Sequence, residues 1–376
     1  MKFIHLSDLH LGKRVNEFSM IEDQKYILLQ TINIIDDEKP DAVIIAGDIY
    51  DKSIPSEEAM LLFDDFLLRL SKRNISVFVI SGNHDSSVRL SDHGKLIENQ
   101  GIYLSPVYDG TLKPVSMEDE YGEINVYMLP FIKPVVVKQY FSDEEILSYT
   151  DAARAAIKHM NVDCSKRNVL VAHQFVLGAT TCESEEHIVG GLDSVSSDVF
   201  DCFDYVALGH IHGKQYIGRE TVRYCGTLLK YSFSEKNHVK SVTVVDIKEK
   251  GNIDIREVML TPKRDLREIK GSYEDITNRK NYEGTNVDDY VHIVLTDEED
   301  VIDAIGKLRT IYPNIMKLSY DNKRTRENNV LTEAGAIEEK SPLELFEDFY
   351  SMQNNVSMSP WQTDYVKELI EEIWGN

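Results

Sequence analysis

Five short apolar runs in this chain each end in polar residues that can bind metal ions. The runs cover residues 4–10, 43–48, 79–85, 170–173 and 207–212, and their endings are Asp-Leu-His, Gly-Asp, Gly-Asn-His-Asp, a single His and Gly-His-Ile-His. Continuous apolar runs of this length are typical of strands that are buried on both faces of a sheet. Helical patterns lie between them, which predicts a layered α/β fold with the polar endings gathered at one edge.

The spacing of the polar endings predicts how they are used. In extended backbone, residues i and i+2 lie on the same side, so Asp8 and His10 are expected to face one ion, as are His210 and His212. A carboxylate can bridge two ions, and Asp48 is the residue chosen for that role. Mixed nitrogen and oxygen ligands suit Mn²⁺, Fe²⁺, Zn²⁺ or Co²⁺ better than Ca²⁺. The set therefore predicts two divalent ions in a site suited to phosphoester hydrolysis.

Taken singly, these motifs differ in weight. An Asp-x-His pair or a lone His at a strand end is common and is usually a hydrogen-bonded surface residue. The run Gly-Asn-His-Asp is more specific, because three consecutive polar residues serve no packing purpose after an apolar strand, and Asn83 supplies a neutral oxygen ligand. Glycines at positions 47, 82 and 209 fit sharp turns and close approach of the backbone to a ligand.

Composition narrows the class of protein. The chain has 376 residues, of which 42% are apolar and 28% charged, as in globular proteins. Apolar runs stay well short of the roughly 20 residues that a membrane helix needs, and the N-terminal residues are expected to enter a strand directly, without a signal peptide. The cysteines at positions 164, 182, 202 and 225 are scattered, so a reduced, cytoplasmic protein is expected.

The net charge of −23 argues against broad electrostatic attraction to nucleic acid. Two bound divalent ions would nevertheless add four positive charges where a phosphate must sit. The charge therefore weakens a DNA-binding interpretation without excluding it.

The pattern along the chain predicts four parts: residues 1–262 form the catalytic domain, 263–330 a small α+β domain, 331–340 a polar linker and 341–376 a helix–loop–helix. The small domain is expected to alternate three strands and two helices, with the helices over residues 272–281 and 299–311. Ser-Pro pairs that begin both C-terminal helices act as start signals.

The motifs, in their order along the chain, resemble the calcineurin-like metallophosphoesterase superfamily, and in detail its SbcD-type nuclease subunits. The stretches that carry this resemblance are residues 5–12, 47–51, 82–86, 226–235 and 341–346. One departure is Gly-Thr-Leu-Leu at 226–229, where the family more often shows Ser-Pro after that glycine; no ligand lies there.

The resemblance implies a four-layer α/β/β/α metallophosphoesterase sandwich with a smaller α+β capping domain and a C-terminal helix–loop–helix. It also implies the division of ligands, in which Asp48 belongs to both metals. One metal would be held by Asp8, His10, Asp48 and His212, and the other by Asp48, Asn83, His173 and His210.

His84 would be a catalytic residue rather than a ligand, placed to stabilise charge or to protonate the leaving oxygen. Its neighbour Asp85 would either orient His84 or cap the next turn.

The implied activity is that of a metal-dependent DNA nuclease, an exonuclease on duplex ends and an endonuclease on single strands or hairpins. It would use two divalent ions, with Mn²⁺ preferred, in DNA repair, recombination and replication. Sequence features leave two alternatives: a phosphatase or small-substrate phosphodiesterase on the same core, and a scaffold with a silent site. The small domain and the C-terminal tail argue against a small ester as substrate.

Candidate contacts with DNA are Lys13, Arg14 and Arg89, which follow the ligand motifs closely and could equally be ordinary surface charges. The helix predicted over residues 56–72 has an apolar surface wider than one core-facing stripe. This surface is interpreted as a homodimer interface in the N-terminal domain, or else as a helix packed on two sides.

The C-terminal helices supply candidate partner-binding residues, and an SbcC-type ATPase is the partner implied by the resemblance. These residues are Leu343, Phe346, Trp361, Tyr365, Leu369 and Ile373. The alternative is that this apolar face packs on the chain's own domain. The chain has no Gly-x-x-x-x-Gly-Lys-Ser/Thr motif, so ATP dependence would have to come from that other subunit.

Overall fold

The structure is a computed structural model that describes residues 1–92, 94–185, 194–323 and 358–374, with residues 325, 343, 346, 347 and 350. The predicted linker at 331–340 and most of the first C-terminal helix lie outside the described residues.

Strands and helices alternate through most of the described chain. The strands are β1 (Lys2–Leu6), β2 (Arg14–Val15), β3 (Phe18–Ser19), β4 (Ala42–Ala46), β5 (Ser76–Ile80), β6 (Ile102–Leu104), β7 (Val115–Asp119), β8 (Gly122–Leu129), β9 (Arg167–His173), β10 (Tyr205–Gly209), β11 (Gln215–Ile217), β12 (Arg219–Tyr224), β13 (Ser241–Ile247), β14 (Ile253–Met259), β15 (Leu266–Gly271), β16 (Tyr290–Leu295) and β17 (Ile315–Tyr320). The helices are α1 (Ile21–Glu38), α2 (Glu57–Ser71), α3 (Ser87–Ser91), α4 (Gly94–Ile97), α5 (Pro134–Val137), α6 (Tyr149–His159), α7 (Tyr273–Thr277), α8 (Arg279–Tyr282), α9 (Ala304–Arg309) and α10 (Pro360–Trp374). None of the described helices is long and apolar enough to cross a membrane.

Two large sheets form the centre of the fold. In the described residues one six-stranded sheet has the order β14-β13-β1-β4-β5-β6, and the other has the order β11-β12-β10-β9-β8-β7. The two sheets pack face to face through a mainly apolar layer that contains Phe3, Ile44 and Phe78 of the first sheet with Ile124 and Val169 of the second. Strand pairing is parallel where β1, β4 and β5 meet, and again among β8, β9 and β10.

Helices cover the outer faces of both sheets. The helices α1 and α2 pack on the first sheet, with side chains such as Ile27, Leu28 and Phe66 in its outer core. The helix α6 covers the second sheet with four buried alanines, which allow it to approach the strands closely. The described part of the chain therefore contains the predicted four-layer α/β/β/α sandwich, and this prediction is confirmed.

The small domain agrees with the sequence in its strands and differs in its helices. The strands β15, β16 and β17 form a three-stranded sheet, in agreement with the three strands expected there. The predicted helix over 272–281 is two short helices, α7 and α8, because Asn278 starts a new turn by capping Lys280. The helix predicted over 299–311 covers only Ala304–Arg309, after Asp303 in the left-handed region.

The chain forms two compact units whose residues differ from the predicted domains. One unit contains Met1–Lys270, Glu274–Val294 and Asp303–Ser319, and the other contains Gly271–Tyr273, Leu295–Ile302 and Tyr320–Asn376. Most of the small three-stranded sheet thus belongs to the same unit as the sandwich. The predicted boundary at 262/263 stays a prediction.

The cysteines contradict the expectation that all of them are reduced. Cys164 and Cys202 form a disulfide across 38 residues of sequence, with their Cα atoms 4.9 Å apart, while Cys182 and Cys225 are free. The expectation is wrong for this pair because the parallel strands β9 and β10 bring the segments before them together, which the cysteine spacing does not reveal.

A buried histidine joins the two sheets beneath the polar edge. The Nε2–H group of His5 on β1 donates to the Leu208 carbonyl oxygen at 3.2 Å, and its Nδ1 accepts from the Tyr205 hydroxyl at 2.9 Å. Burial lowers the pKa of His5 to about 3, so the ring is neutral. This contact fixes β1 against β10, the strands that lead to the first and last polar endings.

Replacing His5 by leucine is expected to lower the free energy of unfolding by about 2–4 kcal/mol, because a buried hydroxyl and carbonyl lose their partner. The folded-state pKa of about 3 lies below the ordinary 6.5, so the unfolded state binds more protons between these values. Wild-type stability should therefore fall as pH drops from 6.5 towards 3, and less steeply in the variant. Denaturant unfolding in EDTA measures this, with the exposed His159→Gln as control; equal slopes in wild type and H5L would contradict it.

Candidate metal centre

The first two polar endings lie side by side because strand pairing continues past the ends of β1 and β4. The Asp8 amide donates to the Gly47 carbonyl oxygen at 3.0 Å, and the His10 amide donates to the Asp48 carbonyl oxygen at 3.0 Å. Asp8, His10 and Asp48 have φ of 52°, 44° and 50°, in the left-handed region. Backbone strain of this kind persists only where the surrounding structure holds it, and it is common at functional sites.

This conformation overturns the reason given for pairing residues i and i+2. The strands end at Leu6 and Gly209, so the paired residues lie in turns and not in extended backbone. Asp8 and His10 still lie in one cluster, but His210 and His212 face different partners. His212 meets His10, and His210 meets Asn83. The expectation that His210 and His212 face one ion is wrong.

One side of the centre is formed by Asp8, His10 and His212. The Nε2 atoms of the two histidines lie 3.1 Å apart, and one possible ligand atom from each of the three residues lies within 4.8 Å of the others. The Asp8 carboxylate also accepts the amide of His210 at 3.0 Å, which ties the first polar ending to the last. All three side chains are buried.

The other side is formed by Asn83, His173 and His210. The Asn83 Oδ1 atom lies 3.0 Å from His173 Nε2 and 3.0 Å from His210 Nδ1. The Nδ1 atom of His173 faces the Ala46 carbonyl oxygen at 2.8 Å, which orients its Nε2 toward the centre.

Asp48 lies between the two sides. Its Oδ1 accepts the amide of His84 at 2.9 Å, whereas its Oδ2 lies 3.4 Å from His173 Nε2 and 3.7 Å from His10 Nε2. A side chain at Gly82 would place Cβ 2.1 Å from Asp48 Oδ1, so only glycine permits this approach. One carboxylate oxygen thus faces both histidine groups.

A metal ion fits this arrangement on the chemistry of its atoms. Both nitrogens of His173 face oxygen atoms that only accept, the Ala46 carbonyl and Asn83 Oδ1, beside the Asp48 carboxylate. Such a buried set needs a positive charge at its centre. A cation at Nε2 would satisfy the imidazole, the amide oxygen and the carboxylate together, and His10, His212 and Asp8 offer a second set of this kind.

The pKa shifts of the buried aspartates and histidines also indicate that the centre needs a positive charge. Burial opposes ionisation of Asp48, but the charges of His173 and the neighbouring imidazoles hold its pKa below the ordinary value. Burial raises the pKa of Asp8 to about 6 and lowers the pKa of His10 well below its ordinary value. Burial is also offset at His173, whose pKa rises to about 9 next to Asp48. A proton on His173 therefore occupies a position that a metal ion would take at neutral pH.

His84 lies at the rim of the centre and is less buried than the ligand candidates. Its Nδ1 is 3.0 Å from the Asp51 carbonyl oxygen, so Nδ1–H donates there and Nε2 faces the site, 3.9 Å from Asp48 Oδ2. The ring packs edge-on against His10 at 4.9 Å. A group in this position can contact a phosphate that reaches the centre.

Asp85 does not take either of the roles considered for it. Its carboxylate accepts the amides of Gly82 at 2.9 Å, Tyr50 at 3.0 Å and Ile49 at 3.1 Å, while Ser86 caps the next helix. Asp85 therefore fastens the third polar ending to the second. Both predicted roles are wrong, because both carboxylate oxygens of Asp85 are turned to these backbone amides.

Several residues that shape the site were missed by the sequence interpretation. Tyr231 donates its hydroxyl to the Leu9 carbonyl oxygen at 2.7 Å, and Gln24 donates to the His10 carbonyl oxygen at 2.7 Å. These bonds hold the strained loop that carries Asp8 and His10. The stretch 226–235 contains Tyr231 and carries part of the family resemblance, but its contacts cannot be read from sequence.

The three candidate DNA-contact residues differ in how exposed their charged groups are. Lys13 pairs with the Asp51 carboxylate at 2.7 Å and is largely buried, so its charge is compensated. Arg14 is exposed and bonds the Glu17 carbonyl oxygen, and Arg89 is exposed just after α3 begins.

Candidate interfaces carry exposed apolar side chains. On α2, Leu61 and Leu68 are 60% and 52% exposed, whereas Phe63 and Phe66 are buried. On α10, Trp361 and Tyr365 are 73% and 54% exposed and stack with ring centroids 6.1 Å apart. Further candidates are Leu369 and Phe346, both exposed, and Leu343, which is half-buried. The side chain of Ile373 lies outside the described residues.

Comparison with known proteins gives matches along nearly the whole chain. Residues 1–214 match the family model of calcineurin-like phosphoesterases, and residues 262–354 match a model described as the type 5 capsule protein repressor C-terminal domain. A relative from Staphylococcus epidermidis, the SbcD subunit of the nuclease SbcCD, is 35% identical over 377 residues, which is 99% of this chain and 99% of that protein.

Two solved structures are also similar. A dimetal phosphatase from Danio rerio matches with a TM-score of 0.41 and 10% identity, over 70% of this chain and 98% of that one. The Thermus thermophilus protein TT1561 matches with a TM-score of 0.39 and 11% identity, over 68% of this chain and 98% of that one.

Replacing Asp48 by alanine is expected to empty both metal sites, because its Oδ2 faces both histidine groups. Replacing His212 by alanine should weaken mainly the site shared with His10 and Asp8. Elemental analysis after dialysis against dilute Mn²⁺ measures the ions per chain, with the exposed Asp36→Ala as control. Equal losses in D48A and H212A would contradict the bridging role.

Proposed function

The chain belongs to the calcineurin-like phosphoesterases and, among them, to the SbcD nuclease subunits, and on this premise we propose that Asp48 is a ligand shared by two metal ions at which DNA is hydrolysed. The chain is a hydrolase acting on phosphodiester bonds. The observation that carries the site proposal is the convergence of two histidine groups on one oxygen of Asp48.

The proposed ligands are those that the sequence suggested, divided between two ions that share Asp48. Asp8, His10 and His212 would hold one ion, and Asn83, His173 and His210 the other. Bound ions would supply Lewis acidity and a water of lowered pKa. Mn²⁺ is the ion proposed, since the set mixes imidazole with carboxylate and amide oxygens.

The chain's own groups would position the substrate. The Asp51 carbonyl holds Nδ1–H of His84, which turns Nε2 toward the place where a phosphate would bind. With Nε2 protonated as well, His84 would donate a hydrogen bond to a phosphate oxygen or give that proton to the leaving oxygen. Arg14 and Arg89 are exposed and are proposed to contact the DNA backbone, whereas Lys13 forms an ion pair with Asp51.

DNA is proposed as the substrate because the full-length relative is a nuclease. We propose double-strand exonuclease and single-strand endonuclease activities, in DNA repair and recombination in the cytoplasm. A phosphatase on the same core is the alternative, and a comparison of DNA with a small ester as substrates decides between them.

Domain boundaries at 262/263 and at 330, with a tail from 341, are proposed on the sequence pattern. The second family model begins at residue 262, which supports the first boundary. We also propose a homodimer through α2, since Leu61 and Leu68 present an apolar face on the described surface. Sedimentation of the purified chain tests it, and a monomer at micromolar concentration would count against it.

The C-terminal segment is proposed to bind an SbcC-type ATPase. The cap of α10 is formed as expected, with the Gln362 side chain accepting the Ser359 amide at 2.8 Å. One face of this helix exposes Trp361, Tyr365 and Leu369 at four-residue spacing, while Val366 is buried. Aromatic anchors of this kind carry much of the energy of protein interfaces.

The purified chain with Mn²⁺ is expected to cleave end-labelled duplex DNA and circular single-stranded DNA much faster than p-nitrophenyl phosphate. EDTA should abolish cleavage. His84→Gln should keep both ions and lose about 100-fold or more in cleavage rate, as removal of a general acid does, while the exposed His159→Gln keeps full rate. Faster hydrolysis of the small ester than of DNA would favour a phosphatase, and loss of an ion in H84Q would show that His84 is a ligand.

Removing residues 341–376 is expected to abolish binding to the ATPase partner and to leave metal-dependent cleavage of single strands intact. The double variant Trp361→Ala, Tyr365→Ala should also lose binding without a change in melting temperature, since both side chains are exposed. The exposed Lys367→Ala serves as the control on the same helix. A large drop in melting temperature with partner binding retained would show that this face packs on the chain itself.

A further inference from the structure

His212 is held by more contacts than its role as a candidate ligand requires. Its Nε2 faces His10 Nε2 at 3.1 Å, and its Nδ1 lies 2.7 Å from the Ser184 hydroxyl. That hydroxyl lies 2.7 Å from Glu235 Oε1. Three residues far apart in sequence thus form a continuous chain of hydrogen bonds that ends at the centre.

The direction of these hydrogen bonds follows from the chemistry of Glu235. Its carboxylate is buried and faces the buried ammonium of Lys240, which also donates to Thr227 Oγ1 at 2.6 Å and to the His212 carbonyl oxygen at 2.9 Å. An ionised carboxylate only accepts. The Ser184 hydroxyl must therefore donate to Glu235, and its oxygen accepts from Nδ1–H of His212.

This leaves the imidazole one arrangement. With its proton on Nδ1, His212 presents an unprotonated Nε2 to the centre, as a metal ligand must. We propose that Ser184 and Glu235 are positioning residues that fix the tautomer and the orientation of His212. The inference rests on the proposed function, since it deepens the account of the same site.

The surroundings support a positioning role over general packing. The Tyr231 amide donates to Glu235 Oε1 at 3.1 Å, so the segment whose Tyr231 hydroxyl holds the Leu9 carbonyl also holds the relay. Residues 231–240 thus hydrogen-bond to the backbone at or next to both His10 and His212. A hydrogen bond of this kind beyond the ligands typically affects metal affinity by about 10- to 100-fold.

Ser184→Ala tests the relay directly, because it removes one oxygen and leaves the Glu235–Lys240 pair in place. Calorimetric titration of the full chain with Mn²⁺ should show about 10- to 100-fold weaker binding of one ion, while the other binds as in wild type. ¹⁵N spectra of histidine-labelled, metal-free protein should show the Nδ1–H tautomer of His212 in wild type and a shift toward Nε2–H in S184A. The His212 signal is assigned from its loss in His212→Gln.

Two matched variants separate this role from a general disturbance. Ser184→Thr keeps the hydroxyl and should restore both affinity and tautomer, and Glu183→Gln changes the exposed neighbour and should have no effect. Ser184→Cys replaces the hydroxyl oxygen, which accepts from His212, by a weaker thiol acceptor. It therefore tests the relay even if S184A fails to fold. Wild-type Mn²⁺ affinity and an unchanged tautomer in folded S184A or S184C would overturn the proposal.

These outcomes are independent of the proposed nuclease activity. If the relay is wrong, metal binding in S184A is that of wild type whatever the DNA assay gives. If the nuclease proposal is wrong, DNA stays intact although the wild-type chain binds its ions and shows the expected tautomer.

Discussion

The proximity of Asp48 to two groups of histidines is the constraint on which the rest of the site depends. Two buried carboxylates and four buried imidazoles meet where the strands end, a concentration of charge that a protein interior tolerates only if it is compensated. Both nitrogens of His173 face acceptor oxygens, so this ring is satisfied only when it is protonated or when a cation binds its Nε2. Bound cations would compensate these groups. They would also give a chain of net charge −23 a positive centre that can bind a phosphate.

The sandwich provides the rigidity that such a centre needs. The proposed ligands lie at or just after the ends of strands of both sheets, so the relative position of the sheets sets the distances between them. His5 bonds β1 to β10 from within the apolar layer, and the Asp8 carboxylate accepts the amide of His210 at their ends. The strained conformations at Asp8, His10 and Asp48 are maintained because neighbouring backbone and side chains bond to each loop.

Much of the site is held by residues that are not among the proposed metal ligands. Asp85 fastens two loops through three amides, Asp51 orients His84 through its carbonyl, and Tyr231 holds Leu9. These contacts cross large distances in sequence. They show why the residues around a metal centre matter for its precision, since a ligand whose orientation is free contributes less to affinity.

The sequence by itself determined the layered α/β class, the strands with their polar endings and the candidate ligands, because apolar runs and ligand motifs are local patterns. The same patterns predicted the three strands of the small domain. Only the tertiary structure decided that His210 and His212 face opposite sides, that Asp85 turns away from His84, that Cys164 meets Cys202, and that Ser184 and Glu235 reach His212. Each of these depends on turns or on contacts between distant segments, where the direction of a side chain is set by the packing of both sheets and not by the residues beside it.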